Sequence, residues 1–83
     1  MKVIYFWATF CGPCKVVSPV VDAINAGGSF HVDKINIEED PEVANDFGIR
    51  SVPALLMVDD DGNEVKRLIG LQSKEKISEF IGV

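Results

Sequence analysis

The sequence predicts one small α/β domain, with elements in the order β-α-β-α-β-β-α and a four-stranded mixed sheet flanked by helices. Short runs of β-branched and aromatic residues alternate with segments whose apolar residues recur at helical spacing. A length of 83 residues leaves room for one domain, which we expect to span residues 1–83. Hydrophobic residues make up 47% of the chain, which is enough for a folded core.

The first half of the chain is expected to form a βαβ unit. The apolar run Lys2–Ala8 indicates a buried, central strand. From Pro13 a helical stripe follows, and Gly27 and Gly28 end it. The next strand is Phe30–Ile37, which a connecting helix should make parallel to the first. The stripe consists of Val16, Val17, Val20, Val21 and Ile24.

Two further helices are predicted from their first residues. Asp40 is a typical N-cap and Pro41 a typical first helical residue, and Gly48 should end that helix. Ser73 should cap the last helix. The side chains expected to face inward from the last helix are Ile77, Phe80 and Ile81.

The segment between the second and third helices predicts an antiparallel hairpin. Its strands are Pro53–Asp59 and Glu64–Gly70, joined by the acidic turn Asp59–Asn63. The turn resembles part of a calcium-binding loop, but that loop needs acids where Met57 and Leu68 stand. We therefore interpret it as a turn only.

The two cysteines of the chain form the motif Cys11-Gly12-Pro13-Cys14, between a predicted strand and a predicted helix. Residues three apart share one helix face, so the two sulfurs can approach bonding distance. A helix N-terminus stabilises a thiolate at Cys11. Pro13 stiffens the turn, and Gly12 leaves room for another chain. The motif predicts that Cys11 attacks a substrate disulfide and that Cys14 resolves the mixed disulfide.

Other interpretations of polar residues are weaker. A zinc site needs four ligands, and His31 is the only other candidate of that kind. A purely structural disulfide would close a ring too small to constrain the unfolded chain much. Ser18 and Ser51 have no base in a recognisable nucleophile motif.

Charge and hydropathy exclude several classes of function. The chain has 8 Lys and Arg against 13 Asp and Glu, and its cations form no dense patch. Nucleic acid and anionic membranes are therefore not expected as partners. No apolar run approaches the length of a membrane span. We interpret the apolar start as a strand rather than a signal peptide, and expect a cytoplasmic protein.

These motifs resemble the thioredoxin family. The resemblance covers Phe6–Lys15, Pro19, Lys34–Ile37, Asp46–Val58 and Gly70. It implies a minimal thioredoxin-like fold that lacks an N-terminal strand and helix. It also implies a protein-disulfide reductase without a bound cofactor, which receives electrons from a thioredoxin reductase or from glutathione. We expect a monomer.

The resemblance also implies a substrate-binding surface around the two cysteines. The Val52-Pro53 peptide bond should be cis and should pair with the substrate backbone. A flat apolar surface should surround the sulfurs. Its residues are Trp7, Phe10, Ile37, Val52, Pro53 and Gly70.

Two positions depart from the family pattern. Tyr5 stands where the family has a buried aspartate, so Lys34 is expected to lack its partner. Tyrosine cannot act as that base near neutral pH, so we expect slower resolution or another proton acceptor such as water. Phe10 replaces the usual tryptophan and lacks its N–H donor.

Two alternatives to a general reductase remain open. One is a glutaredoxin-like or oxidant variant that uses glutathione. The other is a partner-binding module whose redox activity is incidental.

Overall fold

Four strands form one mixed sheet in the order β2-β1-β3-β4, in a computed structural model that describes residues 1–83. The first strand pairs parallel with the second and antiparallel with the third, and the third and fourth are antiparallel. The predicted element order, central first strand and hairpin are confirmed. The strands are β1 (Lys2–Trp7), β2 (Val32–Asn36), β3 (Ala54–Val58) and β4 (Glu64–Ile69).

The strands are one to three residues shorter than predicted. The residues that fall outside them include Pro53 and Gly70. Proline has no N–H for a β-ladder, and Gly70 turns the chain with a φ of 86°. These two residues therefore belong to the connections beside the sheet, where they contribute to the candidate site.

The helices are α1 (Cys14–Gly27), α2 (Pro41–Asp46) and α3 (Lys74–Ile81). The first ends at Gly28, whose φ is 77°, as predicted. The Oγ of Ser73 accepts a hydrogen bond from the N–H of Lys76, which confirms the predicted cap of α3.

The start of α2 differs from the prediction in one respect. Pro41 is the first helical residue and Asp40 stands at the N-cap, but the Asp40 side chain forms no capping hydrogen bond. Its backbone, with ψ of 62°, lies outside the extended conformation of an ordinary N-cap. The helix ends at Asp46, and Gly48 follows with a φ of 66°.

Alternate residues of β1 point to opposite faces of the sheet. On one face, Val3 and Tyr5 pack against α1 and α3. On the other face, Ile4 and Phe6 pack beside α2. Helices therefore cover both faces, as predicted. The inward-facing residues expected from α3 are buried, namely Ile77, Phe80 and Ile81.

The apolar stripe of α1 is narrower than predicted. Val17 and Val21 are buried, whereas Val16 is 58% exposed. Residues i and i+1 lie about 100° apart around a helix, and here Val17 is the one directed at the sheet. Val16 is left facing away from the sheet.

The acidic segment between β3 and β4 is a turn, as predicted. The Oδ1 of Asp59 accepts hydrogen bonds from the N–H groups of Asp61 and Asn63, each at 2.9 Å. Gly62 has the positive φ, 83°, that this turn requires. None of the three helices has the length and apolar character needed to cross a bilayer.

Candidate active site

Cys11 and Cys14 form a disulfide between the end of β1 and the start of α1. Their Cα atoms are 5.3 Å apart, an ordinary separation for a disulfide. Cys14 is the first residue of α1, so Cys11 lies in the preceding turn rather than in the helix. The N–H of Cys14 nevertheless donates to Cys11 Sγ at 3.2 Å. A helix N-terminal amide is thus directed at the Cys11 sulfur.

Both cysteines are largely buried, Cys14 at 2% and Cys11 at 6% exposed. Gly12 and Pro13, between them, are exposed. A Cβ atom added at Gly12 would meet nothing within 4 Å, so the space above the turn is open. The site is therefore open on the side of Gly12 and Pro13.

Apolar residues from three connections surround the cysteine pair. The buried cluster formed by Ala8 and the two cysteines is packed against Trp7, Ile37 and Val52. The N–H of Ile37 donates to the carbonyl of Trp7 at 2.9 Å, which joins the ends of β2 and β1. The carbonyl oxygen of Val52 lies 3.5 Å from Cys11 Sγ. Three of the residues expected at the substrate surface are thus adjacent to the sulfurs.

The other three expected surface residues occupy different environments. Pro53 is buried, and the Val52-Pro53 peptide bond is cis, as expected. Gly70 is hydrogen-bonded to Pro53 through its N–H. Phe10 is 74% exposed and packs into none of the apolar clusters, although it directly precedes Cys11.

Tyr5 is fully buried between the sheet and α1. Its phenol oxygen lies 2.8 Å from Ser18 Oγ, and its hydroxyl donates to the carbonyl of Cys14 at 3.4 Å. Burial raises the pKa of Tyr5, the hydrogen bond with Ser18 opposes the rise, and the negative charge of Asp22 adds to it. Tyr5 is therefore a neutral hydrogen-bonding group at neutral pH and not a base.

Lys34 has a partner, contrary to the expectation from sequence. Its Nζ lies 2.7 Å from Asp22 Oδ1 on α1 and 5.5 Å from the centre of the Trp7 ring. Sequence reasoning sought the partner only at position 5. The spacing of Cys14, Ser18 and Asp22, each four residues apart, places all three along one side of α1 and could have indicated the partner.

A pocket of about 210 Å³ opens beside Cys14. Two larger pockets lie at the outer side of β2 and near the N-terminus, away from both sulfurs. No three His, Cys, Asp or Glu side chains come together in a way that could hold a metal ion. The lining of the pocket beside Cys14 consists of Trp7, Ala8, Thr9, Cys14, Lys15 and Ser18.

A contact at the rim of this pocket was not predicted. Thr9 Oγ1 donates to the carboxylate of Glu38, 2.7 Å from Oε1. The N–H of Glu38 in turn donates to Asn36 Oδ1 at 2.9 Å. The loop that follows β2 is thereby fastened to the loop that carries the cysteines.

Comparison with known proteins decides the family. The family model described as thioredoxin matches residues 1–82. The chain belongs to the thioredoxin family. The thioredoxin of Listeria monocytogenes is 41% identical over 78 residues, which are 92% of this chain and 75% of the relative. Thioredoxin 1 of a Nostoc species is 42% identical over 78 residues, or 92% of this chain and 72% of the relative.

Solved thioredoxin structures share the fold. A mutant thioredoxin of Halobacterium salinarum superposes with a TM-score of 0.84 at 32% identity, covering 96% of this chain and 70% of that one. Fasciola hepatica thioredoxin gives a TM-score of 0.85 at 28% identity, covering 98% and 77%. The predicted thioredoxin-like fold, a four-stranded mixed sheet flanked by helices, is confirmed.

Family membership and the cysteine geometry together define the activity. The protein is a thiol-disulfide oxidoreductase and acts as a protein-disulfide reductase through Cys11 and Cys14. As for the family in general, its substrates are protein disulfides and its partner is a reductase.

Proposed function

We propose that Cys11 is the attacking thiolate of this reductase and Cys14 the resolving thiol. The observation that carries this assignment is the N–H of Cys14, which is directed at Cys11 Sγ at 3.2 Å. A helix N-terminal donor stabilises negative charge on that sulfur, so the thiolate forms there first. The open space beside Gly12, the residue after Cys11, leaves room for a substrate to approach.

The reaction proceeds by two thiol-disulfide exchanges. The Cys11 thiolate attacks one sulfur of the substrate disulfide and forms a mixed disulfide, and the other substrate sulfur leaves as a thiolate. Cys14 then loses its proton and attacks Cys11 Sγ. The second substrate sulfur leaves, and the Cys11–Cys14 disulfide remains. Two electrons pass from the cysteine pair to the substrate.

The proposed substrate-binding surface surrounds the site of attack. Support comes from the carbonyl of Val52 beside Cys11 Sγ and from the exposed ring of Phe10. An extended substrate segment that runs past Val52 presents its own disulfide to Cys11. Gly12 and Pro13 form the open side of the site. The surface consists of Trp7, Phe10, Ile37, Val52, Pro53 and Gly70.

The proposed setting is a cytoplasmic electron-transfer chain. The oxidised pair receives electrons from a thioredoxin reductase or from glutathione, and the protein works as a monomer of one domain, residues 1–83. Its relatives, which are themselves called thioredoxins, support the first donor. Reduction of the oxidised protein by NADPH and a bacterial thioredoxin reductase, run beside reduction by glutathione, distinguishes the two donors.

Reduction of insulin by dithiothreitol tests the assignment of the cysteines. The wild type should accelerate precipitation of the reduced insulin chains, and Cys11→Ser should abolish the acceleration. Cys14→Ser, reduced and then freed of dithiothreitol, should form a mixed disulfide with substrate that persists, because no resolving thiol remains. A folded Cys11→Ser protein with wild-type activity would overturn the proposal.

A further inference from the structure

Three residues of α1 and two residues of the sheet form a polar strip beneath the active site. Cys14, Ser18 and Asp22 follow one another at intervals of four residues along α1. They face Tyr5 on β1 and Lys34 on β2, which are paired neighbours in the sheet. The proposed reaction needs Cys14 as a nucleophile, and the buried position beside it is held by Tyr5 and not by a carboxylate.

The hydrogen bonds of Tyr5 and Ser18 permit two arrangements of their protons. In one, Ser18 donates to the phenol oxygen and Tyr5 donates to the carbonyl of Cys14. In the other, Tyr5 donates to Ser18 Oγ, and the proton of Ser18 is free for another acceptor. The Ser18 side chain forms no other hydrogen bond. Only rotation of two hydroxyl groups separates the arrangements.

The second arrangement suits a negative charge on Cys14. Ser18 and Cys14 line the same pocket of about 210 Å³ and stand one helical turn apart. Side chains at this spacing have Cβ atoms about 5–6 Å apart, within reach of a hydroxyl and a sulfur that turn toward each other. A hydrogen bond to a thiolate is charge-assisted and stronger than one to a neutral sulfur.

We propose that Ser18, oriented by Tyr5, donates a hydrogen bond to the Cys14 thiolate that resolves the mixed disulfide. The proposal rests on the function proposed above and adds Ser18 as a catalytic residue and Tyr5 as a positioning residue. Both hydroxyl groups keep their protons throughout. The thiol proton of Cys14 passes to water in the pocket beside it.

The exchange step needs no further reactant. A bond forms between Cys14 Sγ and Cys11 Sγ, and the bond between Cys11 Sγ and the substrate sulfur breaks. The substrate sulfur leaves with the electron pair and takes up a proton from water. The two cysteines are oxidised to a disulfide while the substrate disulfide is reduced to two thiols.

The charged groups around the polar strip do not stabilise a thiolate on Cys14 in the way that Ser18 does. The Nζ of Lys34 lies 2.7 Å from Asp22 Oδ1, so its charge is compensated. Tyr5, which faces Ser18 from β1, is neutral. Lys15 lines the pocket from α1 but is exposed to solvent. The Ser18 hydroxyl is therefore the neutral donor left to stabilise a thiolate on Cys14.

A single-turnover reaction of the reduced protein with limiting 5,5′-dithiobis(2-nitrobenzoic acid) separates the two exchanges. The first thionitrobenzoate leaves when Cys11 attacks, and the second leaves when Cys14 resolves. We expect Ser18→Ala to move the pH midpoint of the second release upward by about one unit. That shift slows the second release roughly tenfold at neutral pH and leaves the first unchanged.

Three further variants make the test specific. Ser18→Thr keeps a hydroxyl and should restore the wild-type midpoint. Tyr5→Phe should shift the midpoint in the same direction by less, because Ser18 loses its orienting partner. Ser78→Ala removes a half-buried serine hydroxyl from α3 and should leave both releases unchanged. Alanine is favoured in helices, so Ser18→Ala should fold.

A readout independent of turnover completes the experiment. In Cys11→Ser, the absorbance of the Cys14 thiolate near 240 nm gives the Cys14 pKa directly, and adding Ser18→Ala should raise it. An unchanged midpoint together with an unchanged Cys14 pKa would overturn the role of Ser18. A first release that persists at the wild-type rate in Cys11→Ser would instead overturn the assignment of Cys11, so the two failures are distinguishable.

Discussion

The N–H of Gly70 donates a 2.8 Å hydrogen bond to the carbonyl oxygen of Pro53. This bond joins the residue after β4 to the residue before β3, at the edge of the site that carries the cysteines. Directly after this bond the chain turns, because Gly70 has a φ of 86°. The bond therefore helps to fix Val52, whose carbonyl lies beside Cys11 Sγ.

Gly70→Ala should lower the free energy of unfolding by about 1–2 kcal/mol, since a Cβ atom is disfavoured at positive φ. Space is not the cause, because an added Cβ would meet nothing within 4 Å. Gly27→Ala is the matched control, at a helical position with equal space, and should raise stability by up to about 1 kcal/mol. Urea titrations of both variants measure the difference. Equal effects of the same sign would contradict the conformational explanation.

Phe10→Ala should impair reduction of protein disulfides without destabilising the fold. The ring is 74% exposed, so its removal should change the free energy of unfolding by less than about 0.5 kcal/mol. If the ring contacts substrate, kcat/KM for insulin should fall several-fold, while the rate with a small aromatic disulfide changes less. Val65→Ala removes a 47% exposed apolar side chain from β4 and should leave both rates unchanged. Equal loss in the two variants would rule out a specific role for Phe10.

Ser73→Ala should cost about 1 kcal/mol of stability, because the Lys76 N–H loses its capping acceptor. Asp40→Ala should cost about 0.5 kcal/mol, since Asp40 contributes only charge near the start of α2. The cost at Asp40 should disappear in about 1 M salt, and the cost at Ser73 should persist. Urea midpoints at low and high salt give the comparison. A salt-resistant cost at Asp40 would indicate that its side chain does cap the helix.

Tyr5→Phe should change the response of stability to alkaline pH. Burial raises the pKa of Tyr5, so the folded state favours the neutral phenol. The resulting stabilisation is fully present below the unfolded pKa of about 10 and is lost as pH rises through the folded pKa. At pH 7 the variant should be about 1 kcal/mol less stable, because the hydrogen bond with Ser18 is lost.

The difference in unfolding free energy between wild type and Tyr5→Phe should therefore shrink above about pH 10. Taking the difference removes the pH-dependent contributions that the two proteins share. A gap that stays constant from about pH 7 to about pH 11 would show that ionisation of Tyr5 does not oppose folding.

The sequence sufficed for elements with a clear apolar pattern. The continuous apolar run of β1 indicates a strand buried on both faces of the sheet, and the apolar stripe of α1 indicates a helix buried on one face. The cysteine motif could also be recognised from the sequence, since its chemistry depends on a separation of three residues along one turn. These local patterns carry the element order, the cysteine pair and the family resemblance.

The pairing of Lys34 with Asp22 was missed because it depends on how α1 lies across the sheet. Twelve residues separate the two in sequence, and no local period relates them. The side chain of Asp40 was misjudged for a different reason. Its residue type favours capping, but its backbone angles prevent it, and these angles follow from the path of the preceding loop. Both errors concern geometry that neighbouring elements impose.

β2 forms one open edge of the sheet and carries charge there. Asp33 lies 3.3 Å from Lys2 Nζ and 3.3 Å from His31 Nε2. An unpaired strand edge can add a strand from another molecule and begin aggregation, and charged side chains on the edge oppose this. The charges of Lys2 and Asp33 therefore bear on colloidal behaviour as well as on packing. We expect them to oppose the assembly of a concentrated stock of this reductase edge to edge into fibrils.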